Sequence, residues 1–334
     1  MNLSKLKKIL LRLYKSYVKK HLPRILLALV LSFGVAGGTA AIAWLLDPAV
    51  KKIFMEQDKT MTFLIPLGIM LAFSVKGLSL YFARAITIRV GHEICKELQV
   101  KMTSNILFSD AHTIESKHSA KYISHYLYDV SMIYNLVSTG LLNLMKDSLT
   151  LVVLVSLMFY QNWKLACFAL IMMPLAAIVA KTLGRRIGKV TSQSAEVSGA
   201  VSTHVSEIIK ASRMTKIYQQ EKFEFNKSKN ILDLLKNKQI KMGLVMFRAQ
   251  PIMEVLTGII IAGFIYYTGK MVATGEIQIN NFFSFLTAMM LAYQPIRSLA
   301  TLNILVYQGA TAAERVFGVI DVQVNIKEIE DAPN

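Results

Sequence analysis

Acidic residues are scarce in this chain. Its 334 residues carry 21 Asp and Glu against 38 Lys and Arg, a formal charge of +17. Cysteine is nearly absent. Cys95 and Cys167 stand far apart, one in a polar stretch and one in an apolar one, which excludes a disulfide framework and a cysteine-based metal site. Proline is missing from Arg89–Ser138 and from everything between Pro174 and Pro251, and glycine stops at Gly199 and resumes at Gly243. Polar stretches this long without either breaker are helices rather than loops. Also missing is the phosphate-cradling sequence GxxxxGK followed by Ser or Thr. Gly263-Phe-Ile-Tyr-Tyr-Thr-Gly269-Lys270 has one residue too many between its glycines, Met271 follows the lysine, and the stretch is apolar. The chain therefore has no ATP site of its own. His92, His112, His118, His125 and His204 have no metal spacing, and no catalytic site is read in the sequence.

What the chain has in abundance is apolar residues, 54% of the total. They gather into six runs, near residues 25–46, 63–86, 141–160, 164–183, 252–271 and 281–307. Each can span a hydrocarbon core of about 30 Å. The connections alternate. Asp47–Thr62, Gln161–Lys164 and Val272–Asn280 are short, whereas Arg89–Gly140 and Lys181–Arg248 are long. The positive charge follows the long ones: eight Lys and Arg lie in residues 1–24, six in Arg84–Lys121 and fourteen in Lys181–Arg248. The positive-inside rule then places both termini and both long connections in the cytoplasm, as in a multi-pass protein of the bacterial inner membrane. Topology accounts for the charge without a nucleic-acid partner.

Residues 1–22 read as an amphipathic helix on the cytoplasmic leaflet, with Leu3, Leu6, Ile9, Leu10, Leu13, Tyr17 and Val18 forming its apolar stripe. The run Ile25–Leu46 is too long for a cleaved signal peptide. In Lys181–Lys241, the stripe Ile187, Val190, Val197, Val201, Val205 and Ile208 predicts two membrane helices that continue far into water and meet at a turn. At about 1.5 Å per residue the first arm reaches on the order of 40 Å. The stretch Arg89–Ser138 predicts a second excursion, turning near Phe108–Ser116, where Asp110, His112 and Thr113 break the apolar pattern.

A few charges fall inside the apolar runs. Arg84 and Glu254 lie close enough to segment ends to snorkel. Lys76, Lys146 and Arg297 lie deeper, where a charge is costly and faces a partner or a cavity. One reading is plain pairing or snorkelling. The sharper one is a basic ring that grips an anionic headgroup. Asp147 adjoins Lys146 but projects about 100° away on a helix, so it need not neutralise it. Pro174 and Pro295 permit kinks in their helices.

Several local sequences, in order, carry a family resemblance. They are Asn162-Trp-Lys-Leu165 with Pro174-Leu175, Thr215-Lys-Ile-Tyr-Gln-Gln-Glu221, Gly275 to Phe283, Gln294-Pro-Ile-Arg-Ser-Leu299, and Ala310-Thr-Ala-Ala-Glu-Arg-Val-Phe317 to Asp321. Together with the span pattern they resemble the transmembrane domain (type 1) of ABC exporters of the MsbA type, over about residues 20–321. Among these the lipid A flippase subfamily is the nearest likeness, since Lys76-Gly77, Lys146-Asp147 and Arg297 match positions where it places basic residues around lipid phosphates. No LSGGQ-like sequence, the other mark of an ABC nucleotide site, occurs.

The resemblance implies an all-α membrane protein with six transmembrane helices and long cytoplasmic helical extensions. It assigns 1–22 to an N-terminal helix, 23–320 to the six-span domain and 321–334 to the start of a linker. That linker would lead to a nucleotide-binding domain that this sequence does not contain. ATP and Mg would act through such a partner domain, with no cofactor in this chain. A homodimer or a related half-transporter would complete the cavity, and the substrate would be an anionic lipid or amphipath moved by alternating access. Phe108, Asp110 and His112 on one excursion, and Lys216, Tyr218 and Glu221 on the other, would couple the chain to the nucleotide-binding domain. Two alternatives follow from the residues. A multidrug or peptide exporter needs an aromatic cavity, which Phe282, Phe283, Phe285 and Tyr293 could line. A non-transporting scaffold or sensor, or an inactive truncated product, would account for a missing motor.

Overall fold

The computed structural model describes residues 3–110, 119–273 and 279–322, and every described element is helical. The elements are α1 (Leu3–Ser16), α2 (Leu22–Pro48), α3 (Lys59–Phe108), α4 (Ser119–Ser124), α5 (Val130–Asn135), α6 (Leu141–Gln161), α7 (Trp163–Ile217), α8 (Glu221–Ala273) and α9 (Ile279–Ile320). Wide π-helical turns at His125–Asp129 and Leu136–Gly140 join α4, α5 and α6 into one helical run. Among the described residues, four runs are long and apolar enough to cross a membrane: Val18–Met55, Lys59–Phe108, Tyr122–Gln161 and Glu221–Ala273. The two other spans expected from the sequence fall within α7 and α9. The side chains of residues 168–177, Pro174 among them, lie outside the described residues, as do His112, residues 274–278 of the outer-turn sequence and residues 323–334 of the expected linker.

Local chemistry explains where helices begin. The Asp58 carboxylate accepts from the backbone N–H of Thr60 at 2.9 Å and so caps α3. The Asn162 side chain does the same for α7, accepting from Lys164 and Leu165 at 3.0 and 3.2 Å. Pro23 sits in the first turn of α2, where its missing N–H costs nothing. Glu221 and Glu224 place negative charge at the N-terminus of α8.

The chain divides into two compact units: Met1–Ile171 with Phe264–Asn334, and Met172–Gly263. In the first unit α2 packs along α3, and two glycines spaced four apart set the distance. A Cβ on Gly34 would meet Ser79 Oγ at 2.5 Å, and one on Gly38 would meet Lys76 Cβ at 2.9 Å and the Ala72 carbonyl at 3.0 Å. Gly34-x-x-x-Gly38 is thus a small-residue groove of the kind that lets membrane helices approach.

At the end of this unit that holds α1, a buried core draws on α1, α3, α5 and α9: Tyr17, Ile94, Leu98, Met102, Ile133 and Val316 are all nearly inaccessible. Each such side chain contributes about 1.5–3 kcal/mol through burial. The apolar stripe of α1, expected on the leaflet, meets protein here: Leu13 and Tyr17 are buried, while Leu11 and Tyr14 on another face stay exposed. The physical reason is a set of acidic partners. Lys5 pairs with Glu314, Arg12 with Asp321, Lys20 with Glu97, and Arg24 with Glu93. Tyr17 stacks on Phe317, and the Arg12 guanidinium lies 4.3 Å over the Phe317 ring. Asn105 of α3 donates to the carbonyls of Val319 and Ile320 at 3.2 and 2.6 Å, satisfying orphan acceptors at the end of α9.

The second unit is a helical hairpin. α7 ends at Ile217 and α8 starts at Glu221, as the proline-free pattern predicts. Gln219 adopts φ 52°. Its N–H bonds the Lys216 carbonyl, and the Gln220 N–H bonds that of Thr215. This is a Schellman stop with glutamine where glycine is usual. The segment Thr215–Glu221, which holds the expected coupling residues Lys216, Tyr218 and Glu221, forms no helix of its own. Its first residues finish α7, and its last begins α8. Between the arms the His204 ring lies 3.1 Å from the Ser228 hydroxyl, with His204, Ser194 and Val190 buried.

Candidate functional site

α3 and α6 carry two of the three deep cations. Lys76 is half-buried on α3, and the close approach at Gly38 fixes the stem of its side chain against α2. Lys146 lies on α6, which packs against both α2 and α3. The Thr150 hydroxyl bonds back to the Lys146 carbonyl at 2.8 Å.

The structure decides one point the sequence left open. Lys146 does pair with Asp147, whose side chain is only 3% exposed. The 100° offset between neighbouring side chains is real, but lysine has four methylenes with which to fold back. A buried carboxylate draws it in because an unpaired one would be far more costly. Even so, Asp147 is only half satisfied: Oδ2 is buried and, among the described residues, makes no hydrogen bond. The third cation, Arg297 on α9, is exposed, and among the described residues no acid pairs with it. The site thus consists of two lysines on packed helices, one of them tethered, and an exposed arginine on α9. That arrangement suits phosphate oxygens, which accept charge-assisted hydrogen bonds from both ammonium and guanidinium groups.

The aromatic residues considered for a drug-type cavity behave differently. Phe285 is fully buried and stacks on Phe264, with ring centroids 5.1 Å apart, and Phe282 stacks on the same ring at 5.8 Å. Beside them Ser284 accepts from Gln161 at 2.5 Å and donates to the Ala43 carbonyl at 2.6 Å. Phe264, Phe282 and Phe285 are packing residues. Phe283 is half exposed and Tyr293 partly buried.

The expected coupling residues lie at exposed helix ends. Phe108 closes α3 and is 75% exposed. Asp110 follows the extended Ser109, and His112 is outside the described residues. Lys216, Tyr218 and Glu221 surround the hairpin turn and all face solvent.

A cluster that the sequence reading missed lies on α9. Arg315 donates through Nε and Nη2 to both oxygens of Asp129, at 2.9 and 2.5 Å, across 186 residues of sequence. His125 Nδ1 sits 2.6 Å from Asp129 Oδ2. The hydrogen bond from Arg315 to Asp129 holds the guanidinium above its ordinary pKa. Six residues before Arg315, Gly309 admits Leu136, whose Cβ lies 2.6 Å from where a Cβ on Gly309 would be. One helix therefore touches both π-helical turns. The available signal was an acid, Asp129, within an otherwise apolar helical stretch.

Comparison with known proteins bears on this arrangement. The family model described as "ABC transporter transmembrane region" matches residues 25–296. An "ATP-dependent lipid A-core flippase" of Desulfotalea psychrophila is 32% identical over 327 residues, 98% of this chain and 56% of the relative. The protein of the same name from Syntrophus aciditrophicus is 31% identical over 94% of this chain and 52% of its own length. That from Coxiella burnetii is 24% identical over 92% of this chain and 52% of its own length. The chain spans about half the length of the curated relatives it matches.

Proposed function

The chain belongs to the ABC transporter transmembrane region family, and from that membership we propose that it is the permease part of an ATP-driven lipid exporter. Its six spans form a type 1 transmembrane domain in the inner membrane, with both termini in the cytoplasm. The substrate is an anionic lipid of the lipid A class, moved by alternating access. A second copy or a related half-transporter completes the cavity. A nucleotide-binding partner domain supplies ATP and Mg, for which this chain has no phosphate loop. The tips around Phe108 and around Tyr218 receive its motion.

The observation that carries this reading is that Lys76 and Lys146 fall within the apolar parts of two packed helices, in a chain that matches lipid A-core flippases over nearly its whole length. Cations there are disfavoured unless a ligand or partner needs them. The exposed apolar residues of the hairpin, such as Ile209, Phe223 and Phe225, support the dimer, because an arm in water leaves such surface uncovered only where a partner covers it.

The test is reconstitution with the nucleotide-binding partner in proteoliposomes. ATP should drive translocation of a labelled bis-phosphorylated lipid and not of its dephosphorylated form. Equal rates for both would refute the substrate class, and ATP-independent rates would refute the transport reading.

A further inference from the structure

Where α3 leaves its apolar run it sorts its charges. Its acids there, Glu93 and Glu97, are both taken. Glu93 accepts from Arg24 at 2.7 and 2.6 Å through its two oxygens, and Glu97 pairs with Lys20 and Lys101. Its bases are not taken. Arg84, Arg89 and Lys96 are exposed, and among the described residues none of them pairs with an acid. We infer that this face of α3 is a docking strip for the anionic phospholipid of the cytoplasmic leaflet. That lipid is a fixed neighbour rather than cargo, so the assignment does not depend on what is transported.

Helical spacing brings the bases together. Arg84, Ile88, His92 and Lys96 stand four apart and run in one line along the helix, and Arg89 lies beside His92, three residues away. The His92 ring stacks on Tyr134 of α5, with centroids 4.4 Å apart, which fixes one edge of the strip. Residues Val130–Asn135 of α5 bring no charge to it. Glu93 is one turn from Arg89, but its carboxylate is held by Arg24 and His21 of the N-terminal segment. Three permanent cations thus remain for an outside partner.

The Arg24–Glu93 pair sets the level of the strip. Arg24 ends the basic N-terminal segment and Ile25 begins the apolar run of α2, so Glu93 marks the cytoplasmic edge of the membrane. Arg89 and Lys96 sit within about 6 Å of it along the helix axis. Arg84 lies further in, near the end of its apolar run, from where a guanidinium snorkels outward. Deeper still, α3 exposes the rings of Tyr81 and Phe82. A phospholipid matches both parts at once, with phosphate at the bases and acyl chain along the rings. A soluble anion would use the bases alone. A second copy of this chain is a poor occupant, because each copy carries a formal charge of +17 and would add cations to cations.

The experiment places the full chain in nanodiscs with equal amounts of phosphatidylglycerol, which bears one negative charge, and phosphatidylcholine, which bears none net. A benzophenone amino acid replaces Ile88, light captures whatever touches it, and mass spectrometry identifies the adduct. Phosphatidylglycerol should be captured over phosphatidylcholine by roughly fivefold, the scale of one basic residue at an anionic surface. Raising the salt concentration should lower that ratio. The triple variant Arg84→Gln/Arg89→Gln/Lys96→Gln should bring it to the bulk value, and the triple Lys variant at the two arginines and Lys96 should keep most of it. Lys7→Gln/Lys8→Gln/Lys15→Gln removes as many charges from exposed positions of α1 and should leave the ratio where it was, which a general effect of net charge does not predict.

Capture at the bulk ratio in the otherwise unchanged chain overturns the inference, and so does an unchanged ratio in the folded triple Gln variant. If that variant does not fold, a ratio that salt does not lower overturns it equally. Capture of a second copy in place of lipid would make this face a protein interface and overturn it too. A labelled bis-phosphorylated lipid added to the same discs separates neighbour from cargo. If it displaces phosphatidylglycerol from position 88, the strip belongs to the transported lipid and the inference fails while the transport reading stands.

Discussion

The core around α1, α3, α5 and α9 and the hairpin of Met172–Gly263 handle exposed chemistry in opposite ways. The first satisfies itself. Its apolar residues face one another, its acids meet bases from distant segments, and Asn105 occupies the last carbonyls of α9. The hairpin does not. Its arms share the His204–Ser228 contact and a few buried residues, but Ile209, Phe223 and Phe225 stay more than 60% exposed, at 68%, 61% and 68%. A region that closes on itself gains stability from its own contacts. A region that leaves apolar surface uncovered is built to be completed by something else.

The sharpest way to break this contrast is to unlock the self-contained region. Arg315→Ala leaves Asp129, 2% exposed, with only His125 as a partner among the described residues. The carboxylate is buried but the guanidinium is 43% exposed, so leaving Asp129 without it should cost about 1–3 kcal/mol. Thermal unfolding in nanodiscs should show a fall of several degrees, and Arg315→Lys should recover part of it, keeping charge but losing the bidentate fork. Next comes the contact between Gly309 and Leu136. Gly309→Ala places a methyl 2.6 Å from Leu136 and should cost about 1–3 kcal/mol by overpacking. Leu136→Ala in the same chain should return part of that loss.

Much of this was legible in the sequence, and the limits have physical causes. The long helices, the hairpin turn near Gln219 and the start of α7 at Asn162 follow from local signals: absent breakers, caps and apolar stripes. Asp129 and Arg315 lie 186 residues apart, and no local pattern links them. The groove at Gly34 and Gly38 was written in the chain, but its role depends on which helix packs there. The pairing of Lys146 with Asp147 stayed open in the sequence because a rule about Cβ directions does not capture the reach of lysine.

The hairpin supplies a smaller and opposite test. Ile209→Ser or Phe225→Ser should leave the thermal stability of the monomeric chain within about 0.5 kcal/mol of wild type, yet lower the dimer fraction measured by cross-linking. A loss of monomer stability instead would show that these residues pack within the chain, and the contrast would fail.

The smallest expected effect concerns pH. The hydrogen bond from Arg12 holds the Asp321 carboxyl below its usual pKa. A carboxylate whose folded pKa is depressed stabilises the fold above its unfolded pKa, and that contribution disappears as pH falls through the folded value. The pair is about half exposed, at 43% and 50%, so solvent screening keeps it under about 1 kcal/mol. Asp321→Asn should melt slightly lower than wild type at pH 7 and together with it at strongly acid pH. A difference that persisted in acid would assign the effect to packing.

The central claim is that the deep lysines exist to hold lipid phosphate. Lipid affinity in nanodiscs, with the nucleotide-binding partner present, tests it most directly on Lys76→Ala. The account predicts roughly tenfold weaker binding of an anionic lipid, unchanged binding of a neutral one and little change in thermal stability. An equal loss for both lipids, tracking a fall in stability, would contradict it and leave Lys76 a packing residue.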